Sequence, residues 1–118
     1  MNAEDYLKDQ IKKNPGDPMN YYYLGKELMN KKLKDIDSLI NIEKLFKKSI
    51  DLGPHLWAPK IILGELLYKI GRFQEAEPYF KDTLNFHRVP NAGSVKEYLI
   101  KCISQKSEPS GDNKQSKR

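Results

Sequence analysis

The chain has 118 residues, 38% of them apolar and 31% charged, with a net charge of +5. That length suits one domain with a thin core, and no run approaches the ~18 apolar residues of a membrane span, so no membrane insertion is expected. The charge admits nucleic acid or an acidic partner and establishes neither.

Residues Met1 to Tyr6 form no apolar h-region, so no signal peptide is expected. Cys102 is the single cysteine, which rules out an internal disulfide and fits a reducing cytoplasm. In chain order, Tyr6, Leu7 and Ile11 share one helical stripe, which predicts a helix over roughly 2–13. The breaker cluster Asn14-Pro15-Gly16-Asp17-Pro18 follows. Tyr21, Leu24 and Leu28 then mark a helix over roughly 18–32. Leu39, Ile42, Leu45, Phe46, Ser49 and Ile50 step by three and four over roughly 38–51. Beyond Gly53-Pro54, the stripe Ile62, Leu63, Leu66, Leu67 and Ile70 predicts a helix over roughly 56–69. Gly71 punctuates, and Phe73, Ala76, Phe80 and Leu84 predict a helix over roughly 73–86. After Pro90-Asn91-Ala92-Gly93, Val95, Tyr98, Leu99, Cys102 and Ile103 mark a last helix over roughly 93–104. No period-two alternation occurs, so the expected class is all-α with about six helices and no sheet. Residues 106–118 lose apolar content and read as a disordered polar tail that carries +2 of the charge.

The chain also repeats itself. Tyr22-Tyr23-Leu24-Gly25-Lys26-Glu27-Leu28 matches Ile61-Ile62-Leu63-Gly64-Glu65-Leu66-Leu67 at an offset of 39, as Pro15 matches Pro54. Phe46-Lys47-Lys48-Ser49-Ile50 matches Phe80-Lys81-Asp82-Thr83-Leu84 at an offset of 34. The unit is a helix pair, with five extra residues between the helices of its first copy. Gly25 and Gly64 fall mid-helix, where glycine costs ~1 kcal/mol against alanine, a cost that makes sense if a neighbouring helix approaches closely there.

Leu63-Gly64, Leu67, Gly71, Phe73, Ala76, Phe80 and Leu84 resemble the tetratricopeptide repeat pattern, most specifically at Gly71-Arg72-Phe73-Gln74-Glu75-Ala76. The stretch Leu45 to Gly53 is also similar to the end of a Sel1-like repeat. The resemblance implies a right-handed α-α superhelix over residues 1–105. It would comprise an N-terminal helix (2–15), repeats at 18–56 and 57–90, and a capping helix (91–105) with a polar outer face. Departures include Ile42 in the slot of Ala76, and Tyr98-Leu99 in place of a Leu-Gly pair.

In that family helix A lines a concave groove. By register, this implies Met19, Tyr22, Lys26, Met29 and Asn30 from the first copy, and Ala58, Ile61, Glu65, Tyr68 and Lys69 from the second. Tyrosine and methionine suit an adaptable peptide groove; the alternative is that Tyr22 and Ile61 simply pack against neighbouring helices. One subclass clamps the C-terminal carboxylates of heat-shock chaperones with Lys, Asn and Arg. Tyr22, Lys26 and Ile62 stand in those slots here, so that partner is not expected.

Lys31, Lys32, Lys34, Lys44, Lys47 and Lys48 form basic runs that could face RNA or an acidic protein. Asp35, Asp37 and Glu43 interrupt them, which fits a solvated helix face, and nucleic acid is not the favoured partner. Chemistry has little to work with: His55 sits in a turn, His87 ends a helix, and Cys102 lies on an apolar stripe. No catalytic, metal or cofactor motif occurs. The resemblance implies a non-catalytic scaffold or adaptor for a protein or peptide partner. A self-assembling scaffold subunit forming homo-oligomers is the first alternative and RNA binding the second.

Overall fold

The computed structural model describes residues 2–31, 35–86, 89 and 92–107. They form six helices and no strand: α1 (Ala3–Lys13), α2 (Pro18–Asn30), α3 (Ile36–Leu52), α4 (Ala58–Lys69), α5 (Phe73–Leu84) and α6 (Ala92–Ser107). The all-helical class agrees with the periodicity of the sequence. Helix α6 continues to Ser107, into the segment expected to be tail; the rest of that segment lies outside the described residues. The described residues fall into two compact units, one up to Pro59 and one from Lys60.

Local chemistry sets the helix ends. Asn2 caps α1 by accepting from the Asp5 N–H at 2.8 Å. Asp17 caps α2 by accepting from the Met19 N–H at 2.9 Å, with Pro18 at the first helical position, where no N–H is needed. Asp35 caps α3, accepting from the Ser38 N–H at 3.1 Å and the Ser38 hydroxyl at 2.7 Å. This cap starts α3 three residues before the apolar stripe begins at Leu39, because the stripe marks the buried face rather than the helix end. Gly71, at φ +86°, closes α4. Its N–H reaches the Tyr68 carbonyl at 3.1 Å and the Arg72 N–H reaches Leu67 at 2.8 Å. That double bond pattern is a Schellman stop, whose left-handed position favours glycine. Pro78 lies inside α5, in its second turn. It leaves the Gln74 carbonyl without an N–H four residues on, and both residues are exposed, so water can serve instead.

In the first unit α2 packs against α1 and α3. Leu24, Gly25 and Leu28 of α2 are buried, as are Ile42, Phe46 and Ser49 of α3. Gly25 is where the two helices meet. A Cβ there would lie 2.5 Å from Phe46 Cε1, so any larger residue must displace a fully buried ring. The Ser49 hydroxyl donates to the Pro18 carbonyl at 2.8 Å and ties the end of α3 to the start of α2. Tyr21 is half-buried, and its hydroxyl donates to the Pro15 carbonyl at 2.7 Å, holding the α1–α2 turn. Helix α1 has no buried residue; Leu7 and Ile11 are half-buried and Tyr6 is exposed. The Glu4 carboxylate pairs with Lys31 and with Lys8 at 2.8 Å, and the hydrogen bonds from Lys31 and then Lys8 hold its carboxyl well below the usual range.

In the second unit the same device recurs. A Cβ on Gly64 would lie 2.8 Å from both Cε1 and Cζ of Phe80, which is also fully buried. Leu63, Leu66 and Leu67 of α4, Ala76 and Thr83 of α5, and Val95 and Cys102 of α6 complete the core. Ile42 and Ala76 occupy matching slots and both are buried. The repeat extends to charge: Lys47 pairs with Glu43 at 2.8 Å, and Lys81 pairs with Glu77 at 2.8 Å, 34 positions on. Ser49 and Thr83 match as well, but the Thr83 hydroxyl turns back to its own helix, donating to the Tyr79 carbonyl at 2.8 Å.

Replacing Gly64 with alanine gains ~1 kcal/mol of helix propensity, yet overpacking against Phe80 costs ~1–3 kcal/mol. The expected outcome in urea unfolding is a net loss of up to about 2 kcal/mol, with most of it recovered in a Phe80→Leu background. An equal loss in both backgrounds would show that the ring is not the cause.

Candidate functional site

The expected groove residues fall on two helices, and each unit is taken by itself. In the first, Met19, Tyr22, Lys26 and Met29 of α2 are half-buried and Asn30 is exposed at the helix end; Ala58 is half-buried. Tyr22 packs against Phe46 at 6.3 Å between ring centres and against Tyr23 at 5.4 Å, while the Lys26 ammonium lies 5.3 Å above its ring. Tyr22 is thus partly a core residue, and Lys26 covers the face it leaves open. The structure brings these two together and leaves Met19 and Asn30 at opposite ends of α2.

In the second unit Ile61, Glu65 and Tyr68 of α4 are half-buried and Lys69 is exposed. Tyr68 joins a chain of rings. Its centre is 5.2 Å from that of Phe73 at 67°, and 5.2 Å from that of Tyr98 at 74°. Tyr98 in turn lies flat on Phe80, at 5.2 Å and 5°. The ring chain runs from the buried Gly64–Phe80 contact out to the surface, where it walls an open cleft of about 290 Å³ lined by Tyr68, Ser94, Glu97, Tyr98 and Lys101. Four of these five belong to α6, which the groove expectation did not include. Their one sequence signal is Tyr98 in the slot that holds Leu63 in α4, a ring where the repeat needs only a leucine.

Electrostatics differ across this surface. Burial pushes the Glu65 carboxyl up, with the Lys69 charge pulling it back. Burial also pushes the Tyr98 hydroxyl up, and the Glu65 charge adds to that. Glu65 makes no hydrogen bond or ion pair among the described residues. Glu97 pairs with Lys101 at 3.3 Å, and both side chains are at least half exposed. Elsewhere in the unit, Lys60 is buried against Phe86, its ammonium 5.2 Å from the ring centre and 3.7 Å from Asp82.

The basic surface is less bare than its sequence. Lys31 pairs with Glu4, and Lys47 with Glu43; Lys44 and Lys48 are exposed. Lys32 and Lys34 lie outside the described residues, as does His87. His55 is exposed in the turn after α3. Cys102 is buried, and burial, then the Glu77 charge, pushes its thiol up and leaves it protonated at neutral pH. Among the described residues no group of three or more His, Cys, Asp or Glu could hold a metal, and no helix is long and apolar enough to cross a membrane. The arrangement offers ring faces, carboxylates and lysines for contact.

No family model matches the sequence, and no curated protein is significantly similar to it. What the structure defines is therefore a class, an all-helical protein whose two units repeat one glycine–phenylalanine contact.

The raised Glu65 pKa makes the folded chain the better proton binder at that group. Its contribution to stability is fully present below the ordinary value of 4.5 and is lost as pH rises through the raised value. Glu65→Gln should leave the melting temperature at pH 7 unchanged or higher and narrow its change between pH 7 and pH 4. A clear loss at pH 7 would mean that the carboxylate has a structural partner.

Proposed function

We propose that the chain is a non-catalytic interaction module of the tetratricopeptide type, an adaptor or scaffold that folds as a right-handed α-α superhelix and works in the cytoplasm. Its helix-A face holds a peptide or helix of another protein. The recurrence of the Gly25–Phe46 contact at Gly64–Phe80 supports the repeat reading, since the two copies share a packing constraint as well as a residue pattern. The observation that carries the binding reading is the open cleft at Tyr68 and Tyr98. Ring faces left beside water are suited to contact with a partner, because they offer large area at little entropic cost.

Alanine at Tyr22 or Tyr68 would remove packing as well as contact, given their ring partners. Ser94→Trp fills the cleft from an exposed position, and Lys26→Glu alters the α2 face. In affinity purification from the native cell extract, either variant should lose at least about nine-tenths of the proteins that the parent captures, a free-energy change of ~1.4 kcal/mol, with helicity unchanged. If both variants retain the same proteins at parental levels, the groove reading is wrong.

A second reading, self-association, is favoured by one observation. A capping helix presents a polar outer face, yet α6 leaves Ile100 63% exposed and Ile103 44% exposed. On this reading sedimentation shows a dimer or larger species that Ile100→Asp disperses. A parent chain that stays monomeric at the highest concentration studied excludes it.

A further inference from the structure

We propose that the cleft beside Tyr68 and Tyr98 receives an arginine side chain of the partner, its guanidinium laid on the ring faces and its charge directed at Glu65 and Glu97. The inference rests on the peptide-binding reading for the identity of the donor chain, and on the cleft itself for the chemistry.

Size is the first constraint. About 290 Å³ lies at the floor of the ~300–1,000 Å³ range of small-molecule pockets. That is room for one side chain rather than a cofactor. Two tyrosine rings at 74° form the walls, and their π faces are negative. Cations are drawn to such faces.

Charge is the second constraint. Glu97 and Lys101 of α6 line the cleft; on α4, the Glu65 charge acts on the Tyr98 wall and the Lys69 charge acts on Glu65. Lys69 and Lys101 are exposed and keep their hydration. The Glu97–Lys101 pair is exposed, so it is screened and easily exchanged. Glu65 differs from the other three. It is half-buried, has no ion pair among the described residues, and sits one turn before Tyr68 on α4. An anionic segment would meet this carboxylate and the negative ring faces together. A purely apolar one would bury Glu65 further with only the exposed Lys69 to offset its charge. A cation offsets that charge and uses the rings at the same time.

Arginine fits better than lysine. Its guanidinium is planar, stacks on aromatic rings, sheds water more readily than an ammonium, and can pair two-fold with a carboxylate.

The test uses the intact chain and small probes, observed by amide resonances. Arginine amide should bind weakly and saturably, with shifts centred on Tyr68, Ser94 and Tyr98. Citrulline amide, which has nearly the same shape and the same α-amino group but an uncharged side chain, should bind at least about tenfold more weakly. Lysine amide should fall between them. Glu65→Gln should weaken arginine amide at least about fivefold without loss of fold. Equal binding of citrulline amide, equal binding of lysine amide, shifts that map elsewhere, or unchanged affinity in Glu65→Gln would each overturn the proposal. Arginine amide requires no partner protein. A failure here therefore leaves the capture of proteins by the parent chain standing, and the two readings fall separately.

Discussion

Each unit of this protein depends on a glycine that lets a phenylalanine ring lie against a helix backbone. Gly25 admits Phe46, and Gly64 admits Phe80, at separations where a single added carbon would sit under 3 Å from the ring. Interiors pack at crystal-like density, so such a contact limits how far apart the two helices can lie without leaving a void. The leucines around it, Leu24 and Leu28 in one unit and Leu63 and Leu67 in the other, are buried as well. The glycines are poor helix formers, and their place in the middle of α2 and α4 is explained by what they admit.

Around this contact the two units diverge in ways that follow from small substitutions. Ser49 reaches across to the Pro18 carbonyl, whereas Thr83 bonds within its own helix. Ile42 fills a slot that Ala76 leaves small, and both sites are closed to water. The Glu43–Lys47 and Glu77–Lys81 pairs recur on the same helix face with the carboxylates largely covered. Charge on this protein is therefore organised locally. Lys31 and Lys47 have acidic neighbours, so the lysine-rich stretch around the α2–α3 connection presents less uncompensated charge than its composition implies. Pairs of this kind at i,i+4, such as Glu43–Lys47, lend a helix about 0.2–0.5 kcal/mol each.

The candidate site grows out of the core. Phe80 supports Tyr98, Tyr98 meets Tyr68, and Tyr68 meets Phe73, so the surface rings are braced by a buried one. A site on such rings is preorganised, because their orientation is fixed by packing before any ligand arrives. Glu65 beside them is a carboxylate that burial makes costlier to ionise, with the Lys69 charge acting against that and no hydrogen bond or close ion pair among the described residues.

Much of the architecture was legible in the chain. The apolar stripes named the buried leucines, isoleucine, phenylalanines and valine, with Ala76 and Cys102, since a period near 3.6 marks the face a helix must hide; they missed Pro59. The repeat also pointed to Gly25 and Gly64 as points of close approach, because mid-helix glycine has few other uses. Helix ends were less legible, as α3 starts where Asp35 caps and not where the stripe begins. The site was legible in part: register placed Tyr68 and Glu65, and missed Ser94, Glu97 and Lys101. The sequence by itself determined which faces are buried and which glycines admit a ring, because those depend on spacing along one helix. Only the tertiary structure decided that Tyr98 stacks on Phe80 and meets Tyr68 to open a cleft, because that depends on where two helices distant in the chain are brought to lie.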